Sequence, residues 1–140
     1  MKNYRNKYHA REVWHDGFRF PSTGEGDRYL YLKDCQRRGE ISNLRLQVQF
    51  VFLPNIYERK TLKRGPRKGQ TVDGKLLYYG VSYIADFVYQ MPDGETVVED
   101  FKGTLTPVFK IKQRMAVEAG FEIRVVKCPC EPVGPVHKVL

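Results

Sequence analysis

Two aspartates interrupt apolar, β-prone runs, Asp86 within Tyr83-Ile84-Ala85-Asp86-Phe87-Val88-Tyr89 and Asp100 within Val97-Val98-Glu99-Asp100-Phe101-Lys102. Side chains alternate along a strand, so Asp100 and Lys102 share one face while Glu99 and Phe101 take the other. If Asp86 projects to that first face, two carboxylates converge beside an amine. Such a set can hold Mg²⁺ and leave Lys102 to orient or deprotonate a water. Converging carboxylates repel one another unless a cation stands between them, which would explain acids on buried strands of a basic chain. The same spacing also suits a structural Asp–Lys pair at a strand end with Asp86 facing a turn, and spacing alone does not choose.

A second chemical signal is charge. Arg59, Lys60, Lys63, Arg64, Arg67 and Lys68 fall within ten residues with no acid among them. Such a segment can neutralise several phosphates without touching a base. Lys110, Lys112 and Arg114 add cations further along, and Tyr4 and Tyr8 lie in a basic arm suited to stacking or subunit exchange. Cys128-Pro129-Cys130 with Cys35 and His137 lacks the two-residue ligand spacing of a zinc site and leaves the fourth ligand unassigned. His9 and His15 have no triad-like surroundings, and no chemistry is assigned to them.

The elements that must position these residues follow from local pattern. Asp16-Gly17 is a hairpin signal between Glu12-Val13-Trp14 and Phe18-Arg19-Phe20. Ser22-Thr23-Gly24-Glu25 has capping-box spacing, so a helix follows, with Tyr29, Leu32 and Cys35 or Gln36 on one side and Gly39 at its end. Gly24 and Gly26 weaken its first turn. Alternation from Ile41 to Leu53 predicts a strand with Leu44, Leu46, Val48 and Phe50 on its apolar face. Residues 57–75 read as a basic loop or hairpin. Leu76 to Tyr89 is β-prone, and Asp93-Gly94 turns it into a strand ending near Lys102. Thr106-Pro107 starts a second helix whose expected buried stripe is Val108, Ile111, Met115 and Ala119, stopped by Gly120. Phe121 to Val126 is a last short strand. The order predicts an α/β fold with a mixed central sheet flanked by two helices.

Length and composition bound the rest. The chain has 140 residues, 41% hydrophobic and 29% charged, enough for a single domain over 1–140 with a basic arm at 1–10 and an irregular tail at 127–140. No apolar run approaches the roughly 20 residues of a spanning helix. The polar, basic opening is not a secretory signal, and the odd count of three cysteines argues against a disulfide framework. A cytoplasmic location is therefore expected, with no membrane partner. Twenty-four Lys and Arg against 16 Asp and Glu give a net charge of +8, which favours a polyanionic partner.

Asp86, a hairpin, then Asp100-Phe101-Lys102 resembles the core of the PD-(D/E)XK nuclease superfamily, with Ala85 in place of its proline. A wider set is similar to a family of small phage and prophage endonucleases within that superfamily, formerly a domain of unknown function and related to phage Holliday-junction resolvases. The set comprises Ser22-Thr23-Gly24-Glu25 with Arg28-Tyr29, Gly39-Glu40-Ile41 with Leu44 and Gln47, Ala85-Asp86-Phe87, Glu99-Asp100-Phe101-Lys102-Gly103, Thr106-Pro107, and Phe109 with Lys112. The resemblance implies a restriction-endonuclease-like sheet and a Mg²⁺- or Mn²⁺-dependent endodeoxyribonuclease acting on branched DNA as a homodimer, a phage or prophage protein working in the host cytoplasm.

It also implies roles. Asp86, Asp100 and the carbonyl of Phe101 would hold metal, Lys102 would position the attacking water, and a carboxylate from the first helix would complete the site. That carboxylate is Glu25, unless its side chain is taken up by the capping box, in which case Glu40 replaces it. Glu99 is the alternative to Asp100, disfavoured because it faces away from Lys102. Gln47 matches a family glutamine and is expected either to hydrogen-bond a ligand from behind or to face solvent. Lys112 has a family counterpart and joins the 59–68 cations as a candidate phosphate contact. Two other functions fit the same residues: a related nuclease that nicks duplexes or cuts flaps or single strands, and a non-catalytic DNA-binding module.

Overall fold

A computed structural model describes residues 10–140; Tyr4, Tyr8, His9 and nearly all of the expected arm lie outside that range. The chain divides into two compact units, one formed by the segment up to Val48 together with Ala85–Leu140, the other by Gln49–Ile84. Ten elements follow in order: β1 (Val13–His15), β2 (Phe18–Phe20), α1 (Thr23–Arg37), β3 (Ser42–Leu53), β4 (Ile56–Thr61), β5 (Thr71–Tyr78), β6 (Val81–Gln90), β7 (Thr96–Phe101), α2 (Pro107–Glu118) and β8 (Ile123–Val126). The architecture is mixed α/β, with a central four-stranded sheet in the order β3-β6-β7-β8 and two helices. β6 and β7 are antiparallel and β7 and β8 parallel, so the sheet is mixed.

Each local signal has a visible cause. Asp16 and Gly17 both take positive φ, 52° and 81°, the pair of angles a two-residue turn needs to match strand twist. Ser22 Oγ accepts the amide of Glu25 at 3.2 Å, capping α1. At its far end Glu40 N donates to Cys35 O and Gly39 N to Gln36 O, a Schellman stop made possible by the φ of +79° at Gly39. Tyr29, Leu32 and Cys35 enter the core with Phe20, Ile41, Phe87, Tyr89 and Val97, and the Phe20 and Tyr29 rings stack at 5.0 Å.

Gly24 and Gly26, which weaken the helix on propensity alone, are there for proximity. A Cβ on Gly24 would lie 2.7 Å from the Phe101 ring, and one on Gly26 would lie 2.5 Å from Val13 Cγ2. Helix α1 therefore packs closely on β7 and β1 at the turn that carries Glu25. Gly26→Ala is expected to cost about 1–3 kcal/mol by overpacking, read as a lower urea midpoint at unchanged slope. An unchanged midpoint would mean the contact relaxes freely.

One open alternative resolves and two expectations change. The 57–75 segment is a hairpin, β4 pairing antiparallel with β5. The β-prone run from Leu76 to Tyr89 is two strands, broken at Tyr79-Gly80, because a Cβ on Gly80 would stand 2.2 Å from Leu53 O and the chain must turn under that backbone. In α2 the buried residues are Phe109 and Ala116, while Val108 and Ile111 are each 61% exposed and Ala119 is the exposed C-cap. Two apolar stripes lie side by side on that helix, and helical periodicity cannot say which one meets the sheet.

Candidate active site

The unit that contains α1, β7 and α2 gathers the acids. The β6–β7 register pairs Phe87 with Glu99 and Val88 with Val98. Continued by one pair, it sets Asp86 across from Asp100, where cross-strand Cβ atoms stand about 5 Å apart. Asp86 is within hydrogen-bonding reach of both Asp100 and Glu25. Its Oδ2 accepts the Phe101 amide at 3.0 Å, and its Oδ1 accepts from Gln47 Nε2 at 3.4 Å. Lys102 Nζ lies 3.5 Å from Asp100 Oδ1 and 4.9 Å from the centre of the Phe109 ring, so α2 holds the lysine from its other side. Glu25 and Asp100 are buried, with 6% and 2% of their surface exposed.

This crowding sets the protonation. Burial first, then the hydrogen bond and charge of Asp100, then the charge of Glu25, push the Asp86 carboxyl up to about 8, against the pull of the Phe101 amide. Burial and the Asp100 charge likewise raise Glu25, opposed by its bond to Asp86 and by Lys102. Carboxyls crowded near a single ammonium favour the neutral forms of Asp86 and Glu25.

The structure thus brings Glu25, Asp86, Asp100, Lys102 and Gln47 together. Ser22 caps α1 through its own hydroxyl, and the Glu25 side chain goes to Asp86. Glu40 is engaged by Arg38 at 3.2 Å on the exposed end of the helix. Gln47 meets both expectations: it is exposed, it reaches Asp86, and its φ of 51° departs from strand geometry at that point. Lys112 sits half-buried on α2. Cys35 is in the core, Cys128 and Cys130 are exposed, and His137 pairs with Glu95 at 3.0 Å.

One constellation escapes the sequence reading. Arg28 and Glu99, both fully buried, form a two-pronged pair at 2.5 and 2.8 Å, and the Tyr89 hydroxyl adds a third bond to Glu99 at 2.8 Å. Burial first and then the Glu99 charge keep the Tyr89 hydroxyl protonated well above its usual range, so it stays a donor. Arg28 also donates to the carbonyls of Pro129, at 3.0 Å, and Glu131, tying the tail to α1. Arg28 lies one helical turn beyond Glu25, and Glu99 immediately precedes Asp100, so this pair fixes the register that places Glu25 beside the aspartates. The readable signal was an acid in an apolar strand on the face opposite Asp100.

Within the other unit, Arg59 and Lys60 lie on β4, and Lys63, Arg64, Arg67 and Lys68 lie in the turn that follows, all exposed.

Among known families, the model described as a protein of unknown function (DUF1064) matches residues 5–129. The chain belongs to this family. No curated protein and no solved structure matches it. The DUF1064 match spans every residue of the carboxylate cluster and the whole β4–β5 hairpin, and ends just inside the tail, at the Pro129 whose carbonyl binds Arg28. Among the described residues no helix is long and apolar enough to cross a membrane.

Among the described residues, too, no group of three or more His, Cys, Asp or Glu forms a ready-made metal cage. Of the three expected carboxylate ligands, Asp86 and Asp100 face each other across adjacent strands, and Glu25 reaches them from α1. One or two carboxylates are what Mg²⁺ ordinarily takes from a protein, with waters and substrate phosphate completing its shell. Burial and the neighbouring carboxyls raise Asp86, a repulsion that a cation would relieve.

Proposed function

We propose that this chain is a Mg²⁺- or Mn²⁺-dependent endodeoxyribonuclease of the PD-(D/E)XK type that acts on branched DNA. The observation that carries the reading is the placing of half-buried Asp86 beside buried Asp100 and Glu25, with Lys102 3.5 Å from Asp100. All-oxygen donors suit a hard cation such as Mg²⁺ or Mn²⁺. The chemistry supplied by bound Mg²⁺ or Mn²⁺ is Lewis-acid stabilisation of charge on the scissile phosphate and the leaving 3′ oxygen.

The chain's own residues do the positioning. Asp86 and Asp100 would be the ligands, with the Phe101 carbonyl nearby. Glu25, bonded to Asp86, would hold that carboxylate in place or take a metal-bound water. Gln47 fixes Asp86 from the solvent side. Lys102, steadied over the Phe109 ring, would orient the attacking water or the phosphate it approaches. Symmetric cutting of a four-way junction needs two sites, which a two-fold homodimer would supply, and the reading keeps the expected cytoplasmic setting.

Cleavage of a mobile four-way junction by the parent chain with Mg²⁺, lowered at least about 100-fold by Lys102→Ala, is the expected result. Equal cleavage by Lys102→Ala would remove the assigned site. Faster cutting of nicked or flapped duplexes than of the junction would move the substrate to another structure. DNA binding with no cleavage under any divalent ion would leave a binding module.

A further inference from the structure

The Gln49–Ile84 unit carries most of the chain's excess charge: seven Lys and Arg against Glu58 and Asp73. It also carries large side chains that folding leaves in water. Tyr79 is 85% exposed, Tyr78 67% and Tyr57 39%. Exposed aromatic rings amid cations are costly to leave solvated and repel no anion, a combination suited to a ligand with both phosphates and flat apolar faces.

These rings stand on a fixed backbone. Asn55 Oδ1 accepts the Gly80 amide at 2.6 Å, and Asn55 Nδ2 donates to the Tyr57 hydroxyl at 3.3 Å, so one side chain ties the start of β4 to the residue after Tyr79. Gly80 fits against Leu53 O with no room for a Cβ. The β4–β5 ladder pairs Ile56 with Tyr78 and Tyr57 with Leu76, and its register shifts on both sides of Tyr57, which twists the ribbon there and re-aims side chains. Rings held this way lose little freedom on binding.

We infer that the base of the β4–β5 ribbon is a stacking platform for unpaired bases, with Tyr78 and Tyr79 as the principal rings, Tyr57 as a third, and the ribbon's cations tracking the adjoining phosphates. Paired bases within a duplex present edges; only splayed or single-stranded ones present faces. The inference deepens the nuclease proposal, on which its biological sense rests, by naming what is selected in a branched substrate: nucleotides out of the stack. A second copy of this chain is the competing occupant. The charge argues for nucleic acid, because two such ribbons facing each other would bring like charges together.

The test is binding in EDTA, apart from cleavage. A single-stranded oligonucleotide carrying 2-aminopurine and the duplex of the same sequence are titrated with the full chain over a range of salt. The parent chain is expected to bind the single strand more tightly than the duplex and to change 2-aminopurine fluorescence. Tyr78→Ala with Tyr79→Ala is expected to weaken single-strand binding about 10-fold or more, with duplex affinity held within about twofold, and the paired Phe variants to retain binding. Arg64→Gln with Lys68→Gln should weaken both and flatten the salt dependence.

Single-strand binding unaffected by the alanine pair overturns the inference. So does a parent dimer that the alanine pair dissolves at unchanged DNA affinity. A chain that cleaves DNA while its tyrosines prove inert leaves the nuclease standing and removes the platform; one that stacks bases through them and never cleaves does the reverse.

Discussion

At pH 8 without divalent ions, Asp86→Asn is expected to unfold later than the parent chain while losing cleavage by a factor on the order of 10²–10³. Folding raises the Asp86 carboxyl from 3.8 to about 8. Between those values the folded chain retains a proton that the unfolded chain has released, so stability is fully present below 3.8 and is lost as pH rises towards about 8. Each pH unit of that window is worth up to about 1.4 kcal/mol, so the decline from pH 5 to pH 8 is expected to reach a few kcal/mol. Asparagine has no proton to lose and should flatten the curve.

Urea melts at pH 5, 6, 7 and 8 measure this directly. Added Mg²⁺ should restore the parent at pH 8 and do little for Asp86→Asn, since an ion that binds only the folded state stabilises by its affinity. Parallel declines for both chains would show that the retained proton sits elsewhere.

Arg28→Met is expected to cost about 3–5 kcal/mol, the penalty for leaving Glu99 charged, buried and without its partner. Two large apolar side chains can fill such a space about as favourably as the pair does, so Arg28→Met with Glu99→Leu should recover most of the loss. The double variant still lacks the donor for the Pro129 and Glu131 carbonyls. Its 127–140 segment should therefore exchange amide hydrogens and admit protease faster than the parent's, even at equal urea midpoint. If the double variant is as unstable as Arg28→Met alone, the pair's role in packing outweighs its charge. If its tail stays protected, the Gly134–Tyr89 and Arg124–Gly134 bonds suffice to hold it.

The elements were legible wherever one residue type had one physical use. Asp16-Gly17, Gly39 and Gly120 mark turns and helix ends because few other residues take positive φ cheaply. Asp86, Asp100 and Lys102 stood out because charges in apolar strands need partners, and alternation predicted which would share a face. Three things were illegible. Gly24 and Gly26 look like weak helix formers until Phe101 and Val13 are seen against them. Val108 and Ile111 have helical spacing but lie on the outer of two apolar stripes, a choice only tertiary packing makes. Arg28 and Glu99 are 71 residues apart, and nothing local links them; Glu99 looked like a substitute ligand when it is the anchor beneath one.

The bond from Arg28 to Pro129 and Glu131 also has a consequence for synthesis. A ribosome releases residues 49–84 as one unbroken stretch, so the cationic ribbon can assemble while the remainder is still being translated. The helix that bears Glu25 must wait for carbonyls made about a hundred residues later. On the proposed reading, a nascent chain would complete its cationic ribbon before the carboxylate cluster is fully tied in place.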